Sequence, residues 1–444
     1  MKILMFGWEF PPHISGGLGT ACFGITQALT SLGIEVVFVV PKSNFDYGSA
    51  PVKIIRPDDI LGPEMATEEG VRWGGGLGKE ELFTQALLKE YKIDAMLHPY
   101  MTEESYIEHI QHQEELQFVA QRSGKNFSVA KINNDIYGSS LMAEVERYAL
   151  VGKYISQKES FDVIHAHDWM TFKAAVEAKN VSGKPLVVHI HATEFDRTAG
   201  HINSEIYCIE KYGMDMADKI VAVSKRTKEL IVNRYNIDPA KIEVVYNAVE
   251  KEVALQINSV LDKSELAKDK IVLFLGRITA QKGPEFFIEA ANKVIKKYKD
   301  VRFVMAGAGD LSKKMIEKMA EMRIVDRFHF TGFLSQVERE KLFAMSDLYV
   351  MPSVSEPFGI TPLEAMRHGV PVIVSKQSGV SELLGDDAIL VDFWDVDKLS
   401  AAIIKVLTDK KFAKRLSKKS VKAVERIDWN NTAEDLLAIY KKFF

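Results

Sequence analysis

What most constrains this chain is a repeated alternation: a run of four or five apolar, mostly β-branched residues, a glycine-rich or polar turn, then a helical stretch. Lys2 to Phe6 reads as a strand, a glycine turn follows, and a helix is expected from about Gly19 to Leu32. Gly33 stands where a helix C-terminus wants a positive φ, and Val36 to Val40 is the next strand. This is a βαβ signature, and it continues through Val163 to His165, Leu186 to His189 and Lys219 to Val223 to the segment Val244-Val245-Tyr246-Asn247. Runs this short and this apolar belong in one parallel sheet with helices on both faces.

From about Ala248 to Lys270 the texture changes to acidic and lysine-rich residues, and this stretch is the expected linker. Beyond it a second strand series begins: Ile271 to Leu275, Arg302 to Ala306, Phe328 to Thr331, Leu348 to Met351 and Val370 to Val374, with helices such as Glu285 to Lys297 and Leu363 to His368 between them. The expected fold class is α/β, with two Rossmann-like doubly wound domains facing a central cleft. The boundaries read 1–247, a hinge at 248–270, a second domain at 271–418 and a C-terminal helical segment at 419–444.

Composition narrows the function classes. Lys plus Arg is 57 and Asp plus Glu is 61, a net charge of −4, so no global field attracts nucleic acid. Cys22 and Cys208 are the only cysteines, too few for a disulfide scaffold or a thiolate metal cluster. The first apolar run meets Pro11-Pro12 before reaching signal-peptide length, and no run approaches a membrane span, so the expected location is cytoplasmic. The glycine-laden stretch Gly62 to Gly78 reads as a surface loop, and the lysine-rich stretch Asp409 to Arg426 as a solvated helix face. Trp429, Leu436, Leu437, Ile439 and Tyr440 form the apolar side of a last helix.

The residues able to carry chemistry gather at the expected strand ends, which border the ligand crevice in this architecture. Ser15-Gly16-Gly17-Leu18-Gly19 lets backbone amides approach a phosphate or sugar at a helix N-terminus, although a tight turn alone would also use these glycines. It is not the GxGxxG dinucleotide fingerprint, and Pro41 and Lys42 stand where a ribose-binding acid would be. His165-Ala166-His167-Asp168-Trp169 and His189-Ile190-His191 end two strands, and alternation sends His189 and His191 to one face. Imidazoles suit zinc, but the acidic and basic clusters farther on fit another chemistry, and the expectation is no metal. Arg277 and Lys282, in Gly276-Arg277-Ile278-Thr279-Ala280-Gln281-Lys282-Gly283, could neutralise a diphosphate or be surface ion pairs. Gly309, in Gly307-Ala308-Gly309-Asp310, could approach a nucleotide or simply reverse the chain.

The strongest segment runs from Pro352 to Met366. Glu356 sits in a loop and could accept from sugar hydroxyls or stabilise an oxocarbenium-like centre. The amides of Gly359, Ile360 and Thr361 could cradle phosphate, with Thr361 expected as helix cap and Pro362 at the first helical position. Glu364, in the first turn, could accept two ribose hydroxyls.

Taken in order, these segments resemble the retaining nucleotide-sugar glycosyltransferases of the two-Rossmann-domain, GT-B architecture, and within them bacterial and archaeal glycogen or starch synthases and their relatives. The resemblance spans essentially the whole chain. It implies that Gly16 and Gly17 lie near donor phosphate and transferred sugar, that His191 contacts the transferring sugar, and that Asp168 is acidic on the acceptor side. It implies Arg277 and Lys282 as diphosphate cations, Glu356 beside the sugar, Glu364 at the ribose, and a last helix around Trp429 crossing back onto the first domain. The implied reaction moves glucose from UDP-glucose or ADP-glucose to the nonreducing 4-hydroxyl of an α-glucan with retention and without a required cofactor.

Two departures are visible. Ser15 stands where the bacterial synthases carry lysine, and Glu364 is present where they often lack the second glutamate. Both lean toward the broader retaining family, including transfer to a small sugar, sugar phosphate or lipid-linked acceptor. A non-catalytic carbohydrate-binding protein and a nucleotide-sugar epimerase are the competing classes; donor-sugar turnover separates the first, and conversion without acceptor the second.

Overall fold

The computed structural model describes residues 1–10, 16–41, 53–55, 139–198, 202–250 and 269–444. The expected loop at Gly62 to Gly78, the Pro11-Pro12 turn, Ser15 and most of the expected linker lie outside these residues.

The first unit is a seven-stranded sheet in the order β3-β2-β1-β4-β5-β6-β7. Its strands are β1 (Lys2–Phe6), β2 (Glu35–Val39), β3 (Lys53–Ile55), β4 (Val163–His167), β5 (Leu186–Ile190), β6 (Lys219–Ala222) and β7 (Ile242–Val244). Every pairing is parallel, with Ile3 opposite Val36 on one side and Val163 on the other. The helices are α1 (Gly17–Ser31), α2 (Ser139–Lys158), α3 (Trp169–Ser182), α4 (Glu194–Arg197), α5 (Ser204–Met216) and α6 (Lys225–Tyr235). Ile3, Leu4, Met5 and Phe6 are all fully buried, because alternate side chains enter two apolar clusters on opposite faces of the sheet. The chain moves outward from β1 to β3 and then returns across β1 to β4, so the switch point lies between β1 and β4.

The second unit repeats this plan in six parallel strands, β10-β9-β8-β11-β12-β13, with its switch point between β8 and β11. They are β8 (Lys270–Leu275), β9 (Val301–Ala306), β10 (Phe328–Gly332), β11 (Leu348–Met351), β12 (Val372–Ser375) and β13 (Ile389–Val391). Helices α7 (Pro284–Lys297), α8 (Ser312–Glu321), α9 (Gln336–Met345), α10 (Thr361–Arg367), α11 (Ser381–Leu384), α12 (Val396–Thr408) and α13 (Lys410–Arg426) surround them, and α14 (Trp429–Tyr440) is followed by one 3-10 turn at Lys441–Phe443. Both cysteines are unpaired, and among the described residues no helix is long and apolar enough to cross a membrane.

Three sequence expectations shift. Helix α1 begins at Gly17, two residues before Gly19, with Gly16 as its extended N-cap at φ −167. Thr361 is not the cap of α10: Ile360 stands there, already helical at φ −74, because the positive φ of 97 at Gly359 turns the chain one residue earlier. Position 419 falls inside α13, and the chain breaks instead at Ile427, where Asp428 caps α14 through the Asn430 N–H.

Helix α14 packs on α1 of the first unit, joining one apolar cluster that includes Cys22, Ile25, Leu29, Trp429, Leu436 and Tyr440. The contact requires Gly24, where a Cβ would lie 2.3 Å from the Trp429 ring. A second join links the strand ends of the two units. Ser224 Oγ donates to the Pro357 carbonyl at 2.6 Å, and Glu382 of α11 accepts from the Lys225 and Arg226 N–H groups at 2.9 Å each, covering the exposed amides of α6. Ser355 Oγ donates to Asp196 Oδ1 at 2.7 Å and accepts from Arg226 at 3.0 Å. Gly379 allows this clasp, since a Cβ there would sit 2.1 Å from the Pro357 carbonyl oxygen.

Two outcomes follow from these joins. Gly24→Ala overpacks the α1–α14 contact and lowers stability by about 1–3 kcal/mol, and Trp429→Ala lowers it by about 3–5 kcal/mol, both read from urea unfolding midpoints. Gly379→Ala wedges the clasp apart, so small-angle scattering records a larger radius of gyration at unchanged far-UV circular dichroism; an unchanged radius would show that the clasp does not hold the units together.

Candidate functional site

In the first unit the site is organised by Asp168, which follows β4 at φ 58 and ψ 167, a region that favours glycine. The strain is held by hydrogen bonds: Asp168 Oδ1 accepts from the His191 N–H at 2.7 Å and the Ala192 N–H at 3.3 Å. Its own N–H donates to the His189 carbonyl at 3.0 Å. Arg197 lies 3.8 Å from the other carboxylate oxygen. Burial pushes the Asp168 carboxyl up to about 6, opposed by Arg197 and the two amides. Asp168 is 2% exposed, so its carboxylate ties the ends of β4 and β5 together and sets the position of His191.

His191 follows β5 and is half-buried. Its Nε2 lies 2.9 Å from His167 Nδ1, and Nδ1 has no protein partner among the described residues. Burial pushes this imidazole down to about 3, so the ring is neutral and offers a hydrogen bond, not a charge. His165, His167 and His189 lie deeper, fully buried within the strands. His165 Nδ1 shares a 2.6 Å hydrogen bond with the Tyr440 hydroxyl of α14.

The second unit brings its predicted residues together after β8 and β11. Lys282 Nζ donates to Glu356 Oε2 at 2.5 Å, and Ser353 Oγ donates to the same oxygen at 3.4 Å. Arg277 holds the side chain of Gln281 at 3.3 Å, and the Gln281 carbonyl accepts the Val354 N–H at 2.9 Å, fastening the cation loop to the glutamate loop. Glu356 is 7% exposed, so its charge is compensated by one short ion pair at the edge of the sheet. Glu364 lies in the first turn of α10, where Arg339 of α9 pairs with it at 3.3 Å.

The glycines divide by cause. Among the described residues a Cβ on Gly16 or Gly17 would meet nothing within 4 Å, so no packing contact among them requires glycine there. Gly309 differs: a Cβ would lie 2.4 Å from the Ile278 carbonyl, so this glycine serves the packing of one loop on another. Gly359, Ile360 and Thr361 lead directly into α10, where N–H groups lack partners in the helix.

Sequence reasoning missed Arg339, Asp196, Arg226, Ser355 and Glu382. The Thr193-x-x-Asp196 capping box was readable, and it is formed in the structure. The others make contacts across 25 to 159 positions of sequence, and no local pattern announces them.

Comparison with known proteins fits this geometry. Residues 145–253 match the family described as Glycosyltransferase Family 4, and residues 258–423 match Glycosyl transferases group 1. An uncharacterized glycosyltransferase of Methanocaldococcus jannaschii is 27% identical over 454 residues, covering 99% of this chain and 98% of the relative. A glycogen synthase of Mycobacterium tuberculosis is 24% identical over 451 residues, covering 99% and 94%. A D-inositol 3-phosphate glycosyltransferase of Mycobacterium marinum is 27% identical over 300 residues, covering 64% of each chain. Among solved structures, sucrose-phosphate synthase from Thermosynechococcus elongatus aligns with a TM-score of 0.70 at 16% identity, covering 100% of this chain and 99% of that one. Anabaena HepE in complex with UDP aligns at 0.66 and 16%, with full coverage of both. The two parallel sheets, the order of the two matched segments and these relatives agree, and the chain is a glycosyltransferase of the GT-B fold.

Proposed function

We propose that the protein is a retaining glycosyltransferase that moves glucose from UDP-glucose or ADP-glucose to the nonreducing 4-hydroxyl of an α-1,4-glucan, as a glycogen or starch synthase does. The observation that carries the reading is the Lys282–Glu356 pair beside Arg277 at the end of the second sheet. In this reading residues 1–247 form the acceptor-side domain, 248–270 the hinge, and the second sheet with its helices through α13 the donor domain. Full-length similarity to a glycogen synthase supports the glucan acceptor, and a UDP complex among the structural neighbours supports the class of donor.

The residues divide the work by charge. Arg277 and Lys282 hold the diphosphate and stabilise the charge that grows on it as the bond to the sugar breaks. Gly16, Gly17 and the amides of Gly359, Ile360 and Thr361 admit phosphate and sugar close to backbone. Gly309 shapes the nucleotide side through its packing on Ile278, and Glu364, oriented by Arg339, accepts the ribose hydroxyls. Neutral His191 contacts the transferring sugar, with Asp168 fixing its place at the acceptor side. Glu356 faces positive charge at the anomeric carbon. The acceptor O4 bonds to that carbon on the face the diphosphate leaves, the carbon–oxygen bond to phosphate breaks, and the hydroxyl proton passes to the departing phosphate oxygen. No cofactor takes part in these steps.

A second reading, transfer to a small phosphorylated acceptor, is favoured by the match to D-inositol 3-phosphate glycosyltransferases over 64% of the chain. The test incubates purified protein with each donor, with and without glycogen, and follows nucleotide release and chain elongation. Glycogen-dependent release with new α-1,4 linkages is expected, and Glu356→Ala or Arg277→Ala lowers kcat by about 10²–10³. Arg339→Ala raises the donor KM more than it lowers kcat. Failure to elongate with either donor, alongside release with a phosphorylated sugar alcohol, would replace the glucan reading with the second.

A further inference from the structure

We propose that His165, His167 and His189 form a binding site for one transition-metal ion of the zinc class, a structural site behind the transfer site that departs from the sequence expectation of no metal. The three side chains are fully buried, and each offers a ring nitrogen such that the three nitrogens lie within 4.8 Å of one another. His165 Nε2 lies 3.3 Å from His189 Nδ1, a contact that is a hydrogen bond when no ion lies between them. That separation matches the edge of a tetrahedron, about 3.3–3.4 Å, built on metal–nitrogen bonds of about 2.0–2.1 Å.

The hydrogen-bond inventory leaves donors facing inward. Tyr440 occupies His165 Nδ1 at 2.6 Å and His191 occupies His167 Nδ1 at 2.9 Å, so both rings have Nε2 for a metal. Among the described residues His167 Nε2 is buried without a hydrogen-bond partner; in His189 the nitrogen that faces His165 is Nδ1, and its Nε2 also lacks a partner among them. Leaving such groups unsatisfied is costly, and a core that needed only packing would use apolar side chains there. Three imidazoles without a carboxylate exclude magnesium and calcium, which take oxygen ligands.

The outer contacts give the site its consequence. A ligating histidine is usually oriented through its second nitrogen, and here the orienting groups are Tyr440 of α14 and His191. An ion would therefore fasten β4 to β5 and, through Tyr440, fasten the C-terminal helix to the first sheet. His191, stacked on His189 with ring centroids 4.3 Å apart, stands between the cluster and the cleft. The proposal does not depend on the identity of donor or acceptor.

The experiment uses the full chain produced in zinc-supplemented medium and freed of loosely held metal. Elemental analysis is expected to find one zinc ion per chain, and X-ray absorption to show imidazole nitrogens in its first shell. Chelator-stripped protein melts at a lower temperature and regains its melting point with zinc alone. Cobalt in place of zinc gives the intense visible bands of a tetrahedral site, three imidazoles with a water or hydroxide in the fourth place. His189→Gln and His189→Leu lose the ion, whereas His329→Gln, at an exposed position of β10, keeps it. Folded wild-type protein without metal overturns the proposal, as does a first shell without imidazole or a folded His189 variant with wild-type metal content. If both His189 variants fail to fold, the wild-type absorption and cobalt spectra decide the matter.

Discussion

A parallel strand covered by helices on both faces has no solvated side, and this constraint places nearly everything else. Its side chains must be apolar along its length, so chemistry is pushed to the ends, where the chain leaves the sheet. In this protein Asp168 and His191 follow β4 and β5, and Arg277 and Glu356 follow β8 and β11. The clasp of Ser355 on Asp196 and Arg226 then joins the loop bearing Glu356 to the helices that follow β5 and β6. The clasp therefore anchors the chain at the residue that precedes Glu356.

The histidines are the exception that the constraint makes informative. His165, His167 and His189 sit inside strands, where β-branched residues would pack at no polar cost. Neutrality makes their burial tolerable, and their hydrogen bonds run from His165 to Tyr440 and from His167 to His191. The cluster thus touches both the C-terminal helix and the cleft, which a set of isolated buried histidines would not.

Legibility followed the range of the interaction. The strand series, the two-sheet plan and the cation and glutamate loops were readable because each is a local pattern: an apolar run, a turn, a charge placed just after it. Lys282 and Glu356, 74 positions apart, were each visible as end-of-strand residues, although their contact was not. Arg339 was hidden because an arginine on an amphipathic helix looks like any solvated residue until α9 packs against α10 and presents it to Glu364. Thr361 misled because Thr-Pro is a common helix start, yet the positive φ at Gly359 had already turned the chain, so helical geometry begins at Ile360. Gly309 and Gly16 look alike in sequence; among the described residues the Ile278 backbone crowds the first and nothing crowds the second.

The two glutamates of the second unit share a further property. Each carries a fixed cationic partner, Lys282 for Glu356 and Arg339 for Glu364, and each is largely buried. A buried carboxylate stripped of its partner is a strong destabilisation, whereas the pair itself contributes little net stability. In the reading proposed above, the donor diphosphate shares Lys282 with Glu356, so one cation serves both anions. Sharing keeps a cation beside a carboxylate that the protein buries. A sheet edge that held glutamate alone would have to protonate it or open it to water, and neither state serves to stabilise a cation.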